Sequence, residues 1–265
     1  MHYVIGDIHG QLVCLKELLR KINYKPEEDV LYFVGDYIDW GPASVATVQF
    51  IIELQRKGNV HCCLGNHELM FNEVIKDKWK IAATKAGKTN YARNKGDETL
   101  KELDELSFQE QINVIRWLNN LPVYFIAEVN GQRYYITHST PLSDACASRT
   151  PADAKWKLWA VEDAVWDRIH YPNDNFLEWH PDYHDCILVS GHSITPNYKI
   201  NKYEHYINVD CGAKVIGWEP YWTTENLAAL RLEDGAEFYV FEDNETDKIS
   251  RQKTLEKIGK THNAP

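Results

Sequence analysis

Nowhere in these 265 residues does an apolar run approach the roughly 20 residues that a membrane-spanning helix needs, which argues against a membrane as partner. Positive charge is also scarce. Lys and Arg number 29 against 39 Asp and Glu, a formal net charge of −10, and such a balance disfavours a nucleic-acid polymer as partner. It does not disfavour a phosphorylated protein or a small-molecule phosphate, because divalent cations in a site would reverse the local field. Closely spaced cysteine pairs are missing too. Cys14, Cys62, Cys63, Cys146, Cys186 and Cys211 include no C-x-x-C spacing, and several fall in strand-like apolar runs where a reduced thiol behaves as a small hydrophobe. The expectation is a reducing, cytoplasmic setting without disulfides. The chain enters a strand-like run within two residues of Met1, which leaves no room for a signal peptide. No repeat or interdomain linker is evident, and the length suits one large α/β domain over about 1–242. Residues 243–265 are polar, mixed in charge and without apolar period, as a frayed tail would be.

What is present is concentrated between Tyr3 and Glu68. Three clusters stand there: Gly6-Asp7-Ile8-His9-Gly10, Gly35-Asp36-Tyr37-Ile38-Asp39-Trp40-Gly41 and Gly65-Asn66-His67-Glu68. Each follows an apolar or β-branched run (Tyr3 to Ile5, Val30 to Val34, Val60 to Leu64), with helical periodicity between them. A β-α-β-α-β order makes the strands parallel and puts the ligand crevice at their C-terminal ends, where all three clusters fall. Carboxylate, imidazole and carboxamide groups are what a hard or borderline divalent metal takes. Asp7 and His9, two apart in a turn, suit one ion, and the two oxygens of Asp36 could bridge a pair. The flanking glycines let the backbone turn sharply.

GDIHG, GDYIDWG and GNHE resemble the signature of the calcineurin-like metallophosphoesterases, in particular the phosphoprotein phosphatases with their bacterial and phage relatives and the symmetrical dinucleoside tetraphosphatases. Thr137-His138-Ser139 and Gly191-His192-Ser193 supply the two later histidines of that pattern, so the resemblance runs from Tyr3 to about Gly217. It implies a four-layer αββα sandwich of two mixed sheets flanked by helices. It also implies a pair of divalent metal ions, manganese before iron, zinc, nickel or cobalt. Asp7, His9 and Asp36 would hold the first, and Asp36, Asn66, His138 and His192 the second. His67 would be the general acid, with Asp39 orienting it and raising its pKa. Glu68 would tether the loop. The family also places arginines around the substrate phosphate, where their planar forks match its oxygens. Here Trp40 and Leu64 stand at two such places. Arg168 is either a third of them or a surface residue at a helix end. Trp40 is either a platform for an aromatic part of the substrate or a packing residue against the cap.

Along the chain, Leu12, Leu15, Leu18, Leu19 and Ile22 share one helical face, and Val45, Val48, Ile51 and Ile52 another. Pro42 suits the first turn of the second helix, and Lys57-Gly58 a basic last turn with a glycine cap. Residues 69–121 read as a helical cap, in which Ser107 to Glu110 fit a capping box with Ile112, Ile115 and Leu118 inward. Asn94 to Thr99 resemble, more faintly, the NGGxxT loop of the phosphatases, with Lys95 at a glycine position. Asn130-Gly131 and Asp234-Gly235 read as hairpin turns. Thr150-Pro151 opens a helix whose Trp156, Trp159 and Trp166 read as core. His180-x-x-x-His184 has metal-ligand spacing, but Pro181 opposes the helix that would align the pair, so a solvated loop is expected. The resulting expectation is a dinuclear-metal hydrolase of phosphate monoesters. Its alternatives are a symmetrical dinucleoside tetraphosphate hydrolase and a non-catalytic binding module that has kept the fold.

Overall fold

A computed structural model of the chain describes residues 1–78, 90–142, 158–215 and 226–240. β1 (His2–Ile5), β2 (Val30–Phe33) and β3 (Asn59–Cys62) are parallel and joined through α1 (Leu12–Lys21) and α2 (Ser44–Lys57). After α3 (Asn66–Lys78) and the helices Gly96–Asp104 and Phe108–Asn119 comes a second group of strands. It comprises β4 (Tyr124–Val129), β5 (Gln132–Thr137), β6 (Ile187–Ser190), β7 (Asn201–Lys202) and β8 (Tyr206–Asn208), in the order 4-5-6-8-7. β9 (Leu227–Arg231) and β10 (Glu237–Val240) return to the first sheet, whose order is 10-9-1-2-3. β9 lies antiparallel to β1, so both sheets are mixed.

Side-chain alternation makes the layers. Tyr3, Ile5, Leu31 and Phe33 join the cluster that holds Leu15, Leu18, Val48 and Ile51 of the helices. Val4, Tyr32 and Val34 point the other way and meet Ile136, Val189 and Ile207 of the second sheet. Each central strand is therefore apolar on both faces, as a strand between a helix layer and another sheet must be. The arrangement is the αββα sandwich that the sequence implies.

Local expectations hold with revealing exceptions. Ser107 and Glu110 form the capping box, but the buried face of that helix is Val114 and Leu118, with Ile112 and Ile115 only half covered. Tyr91, Leu103, Val114 and Leu118 share their apolar cluster with β1 and β2, so the described parts of the 69–121 segment are packed into the main core. Pro42 lies before Ala43, the N-cap of α2, and not in its first turn. Gly58 caps α2 as expected, in an extended conformation (φ −156°). What selects glycine there is space, since a Cβ would sit 2.6 Å from the Tyr24 hydroxyl. Of the tryptophan stripe only the Trp166 side chain is described, and it is not core. Trp166 is 37% exposed, and Ala160, Val161, Ala164 and Val165 form the buried face of the helix Leu158–Trp166. The Trp159 side chain, Trp156, Thr150-Pro151, Cys146, Gly217 and the 243–265 tail lie outside the described residues. His184 is exposed in a turn, as a solvated loop predicts, and the five described cysteines are buried and free. Among the described residues, no helix is long and apolar enough to cross a membrane.

Candidate metal centre

Asp7, His9, Asp36, Asn66, His138 and His192, named from the sequence as ligands, come together, and all are buried. Each is delivered just past a strand, except that Asn66 opens α3. His9, Asp36, Asp39, Trp40 and His192 adopt left-handed backbone (φ between 48° and 69°). Such residues cost about 1–3 kcal/mol each and persist where surrounding structure enforces them. The enforcing contacts are visible. The Glu68 carboxylate accepts the backbone N–H groups of Asp36 (2.9 Å), Tyr37 (2.8 Å) and Gly65 (3.0 Å), the tether expected of it. Two glycines make room: a Cβ on Gly65 would fall 2.2 Å from Asp36 Oδ1, and one on Gly191 2.0 Å from Asp7 Oδ1.

Hydrogen bonding assigns the histidine tautomers. His9 Nδ1 donates to the Ile38 carbonyl (3.1 Å), His138 Nδ1 to Val34 (3.2 Å) and His192 Nε2 to Trp166 (3.2 Å). Each ring then turns a bare nitrogen inward, as metal-bound histidines do. Those nitrogens face oxygens that are themselves acceptors. Asn66 Oδ1 lies 2.9 Å from His138 Nε2 and 3.0 Å from His192 Nδ1. Asp36 Oδ1 is 3.5 Å from His138 Nε2, while Asp36 Oδ2 is 3.4 Å from His9 Nε2. Acceptors aimed at acceptors repel unless a cation lies between them, so this donor set fits divalent ions. Asp36 turns one oxygen to each half.

The electrostatics agree. Burial, then Asp210 and Asp36, hold Asp7 well above the usual carboxylate range, and burial raises Asp36 as well. Burial drives His9 and His138 well below their ordinary value and His192 to about 3, keeping all three neutral and able to ligate.

His67 differs from the other three. Its Nδ1 is 2.6 Å from Asp39 Oδ2, and its Nε2 points towards Asp36 Oδ2 at 3.9 Å. Burial opposes its charge, but Asp36 and the Asp39 hydrogen bond outweigh that and raise its pKa. His67 also forms one cluster with His9 and Asp36, a ligand atom of each lying within 4.8 Å of the others.

Four residues at the site were not singled out from the sequence. Thr99 Oγ1 donates to Asp39 Oδ1 (2.6 Å) and the Tyr91 hydroxyl to the same atom (3.1 Å). The faint NGGxxT likeness ending at Thr99 was the available signal. Asp210, buried and pushed up to about 6 by desolvation, acts on Asp7. Lys214 stands with its ammonium 5.6 Å from the Trp40 ring centroid. Arg168 is exposed and donates to Ser193 Oγ (2.9 Å).

The calcineurin-like phosphoesterase profile matches residues 3–216, which includes every one of these positions. The chain belongs to the calcineurin-like phosphoesterases. Among its relatives, a symmetrical bis(5'-nucleosyl)-tetraphosphatase from Marinomonas sp. is 36% identical over 126 residues, covering 48% of this chain and 40% of that protein. The chain thus matches about two fifths of the length of such curated relatives. Two solved phosphatases share the fold. The cold-active protein-tyrosine phosphatase of a Shewanella species has a TM-score of 0.55 at 17% identity, over 90% of this chain and 79% of its own. A protein serine/threonine phosphatase from Saccharomyces cerevisiae has 0.55 at 15%, over 92% and 81%. At such identities the likeness is one of fold only.

Proposed function

We propose that this phosphoesterase is a two-metal hydrolase whose preferred substrate is a dinucleoside tetraphosphate, cleaved at the centre of its phosphate chain. The observation that carries the reading is the set of bare histidine nitrogens facing oxygen acceptors around Asp36. The name borne by relatives such as the Marinomonas protein moves the substrate from a monoester to this anhydride.

Asp7, His9 and Asp36 would hold one ion, and Asp36, Asn66, His138 and His192 the other. Divalent cations there supply Lewis-acid activation of water and neutralise charge on the phosphoryl oxygens. Manganese suits the mixed oxygen and nitrogen donors, with iron, zinc, nickel and cobalt as the other candidates. The chain supplies the rest. Asp36 fixes the spacing of the two halves because one carboxylate faces both. His67 donates its proton to the leaving oxygen, and Asp39 keeps the imidazole oriented. A P–O bond to the water oxygen forms, the bridging P–O bond breaks, and the departing nucleoside diphosphate takes the His67 proton. The proton lost by the water passes to solvent, from which His67 is reprotonated. Arg168, which donates to Ser193 beside His192, would hold phosphate oxygens with its guanidinium fork.

A substrate panel with added Mn²⁺ tests this reading: dinucleoside tetraphosphate, phosphopeptides, mononucleotides and p-nitrophenyl phosphate. The tetraphosphate should give two nucleoside diphosphates with the highest kcat/KM. A phosphopeptide preferred over it would return the assignment to a phosphoprotein phosphatase. Inactivity on the whole panel would leave the binding-module reading.

A further inference from the structure

Two places where the family resemblance implies a phosphate-binding arginine hold Trp40 and Leu64. Leu64 is fully buried, and neither side chain carries charge. A cation reaches the same region from elsewhere. Lys214 sits in the short 3-10 turn Ala213–Val215, which is fixed to the site at several points. Gly212 N–H donates to Asp210 Oδ1 (3.0 Å), Val215 N–H to the Gly212 carbonyl (3.1 Å), and Gln11 Nε2 to the Ala213 carbonyl (3.3 Å). Gln11 directly follows the Asp7–Gly10 cluster, so the turn is held against the first candidate ligands. The ammonium rests over the Trp40 ring at 5.6 Å, within cation–π range. Among the described residues, no carboxylate closes an ion pair with it. Trp40 directly follows Asp39, the partner of His67, so the ammonium stands beside the candidate site.

We propose that Lys214, carried on the face of Trp40, grips a phosphate group of the substrate and replaces the arginines absent at positions 40 and 64. The inference rests on the phosphohydrolase reading and assigns it a substrate-binding residue. Lysine is a flexible point charge where arginine is a rigid fork, so the grip tolerates more than one phosphate position. That suits a polyphosphate chain better than a single monoester.

The test compares wild type, Lys214→Gln and Lys214→Arg, each loaded with Mn²⁺. It measures inhibition by inorganic phosphate, KM and kcat on p-nitrophenyl phosphate and on the tetraphosphate, and bound metal. Loss of one charge-assisted phosphate contact should raise Ki and KM of Lys214→Gln about tenfold or more. Its kcat and metal content should stay near wild type, and Lys214→Arg should recover most of the affinity. Unchanged phosphate inhibition in Lys214→Gln would overturn the assignment. So would an affinity loss that arginine does not rescue and that follows loss of metal. If the wild type hydrolyses no phosphate compound, the function itself fails; if it does while Lys214→Gln matches it, only Lys214 fails.

Discussion

His67 has a carboxylate on each side, and the two do different work. Asp36 adds charge attraction at 3.9 Å, while Asp39 accepts the Nδ1 proton at 2.6 Å and fixes the ring. A proton donor placed this way contributes about 10²–10⁴-fold to rate. His67→Asn should lose that much kcat on an alkyl phosphate and distinctly less on p-nitrophenyl phosphate, whose leaving group needs little protonation. An equal loss on the two substrates would remove the proton-donor role. Asp39 in turn depends on Thr99 and Tyr91, whose hydroxyls both donate to Oδ1. Removing one such donor from a buried carboxylate costs roughly 1–3 kcal/mol. Thr99→Val should therefore lower kcat by about tenfold with full metal content retained, and a Thr99→Ser variant should recover most of it. No change in kcat would confine Thr99 to packing.

At the scale of elements, short-range chemistry was legible and long-range contact was not. Asn130 and Gly131 both take positive φ, as the hairpin signal requires, and Ser107 caps the helix that it precedes. That cap is exposed, and Ser107→Ala should cost about 0.5–2 kcal/mol in urea denaturation with kcat unchanged. A change in kcat would mean the helix governs the site. Pro42 and Trp166 were misplaced, since Pro42 precedes the N-cap of α2 and Trp166 is exposed. Gly58 caps α2 as its local signal predicts. The β6–His192 turn shows the converse. Gly191 has room for no Cβ because Asp7, from the opposite end of the sequence, fills the space. Gly191→Ala should displace Asp7 and lower metal content, with the fold kept by circular dichroism. Full metal content in that variant would show that the turn yields.

Across the whole molecule, the site ties the two sheets together. Asp7, Asp36 and Asn66 follow strands of the first sheet, and His138 and His192 follow strands of the second. Ions held by both would bind the folded chain and not the unfolded one, which stabilises by about 2.7 kcal/mol at a hundred times Kd. Mn²⁺ should raise Tm of the wild type, and a chelator should reverse the rise. Asp36→Asn should bind fewer than two ions and show a much smaller rise, since its carboxylate faces both halves. Two ions per chain in that variant would rule out a bridging Asp36.

The sequence alone determined the strand ends that carry Asp7, Asp36 and Asn66, because alternating apolar runs and turn residues are local signals. It also identified His138 and His192 as members of the same set, through a pattern too specific to arise from packing. The tertiary structure decided which nitrogen of each histidine is bare, since that depends on the carbonyls of Ile38, Val34 and Trp166, which lie 29, 104 and 26 residues away in the chain. It likewise decided that Thr99 and Tyr91 hold Asp39, and that Lys214 stands on Trp40. Those pairs are 60, 52 and 174 residues apart, and no periodicity in a single sequence encodes a contact of that range.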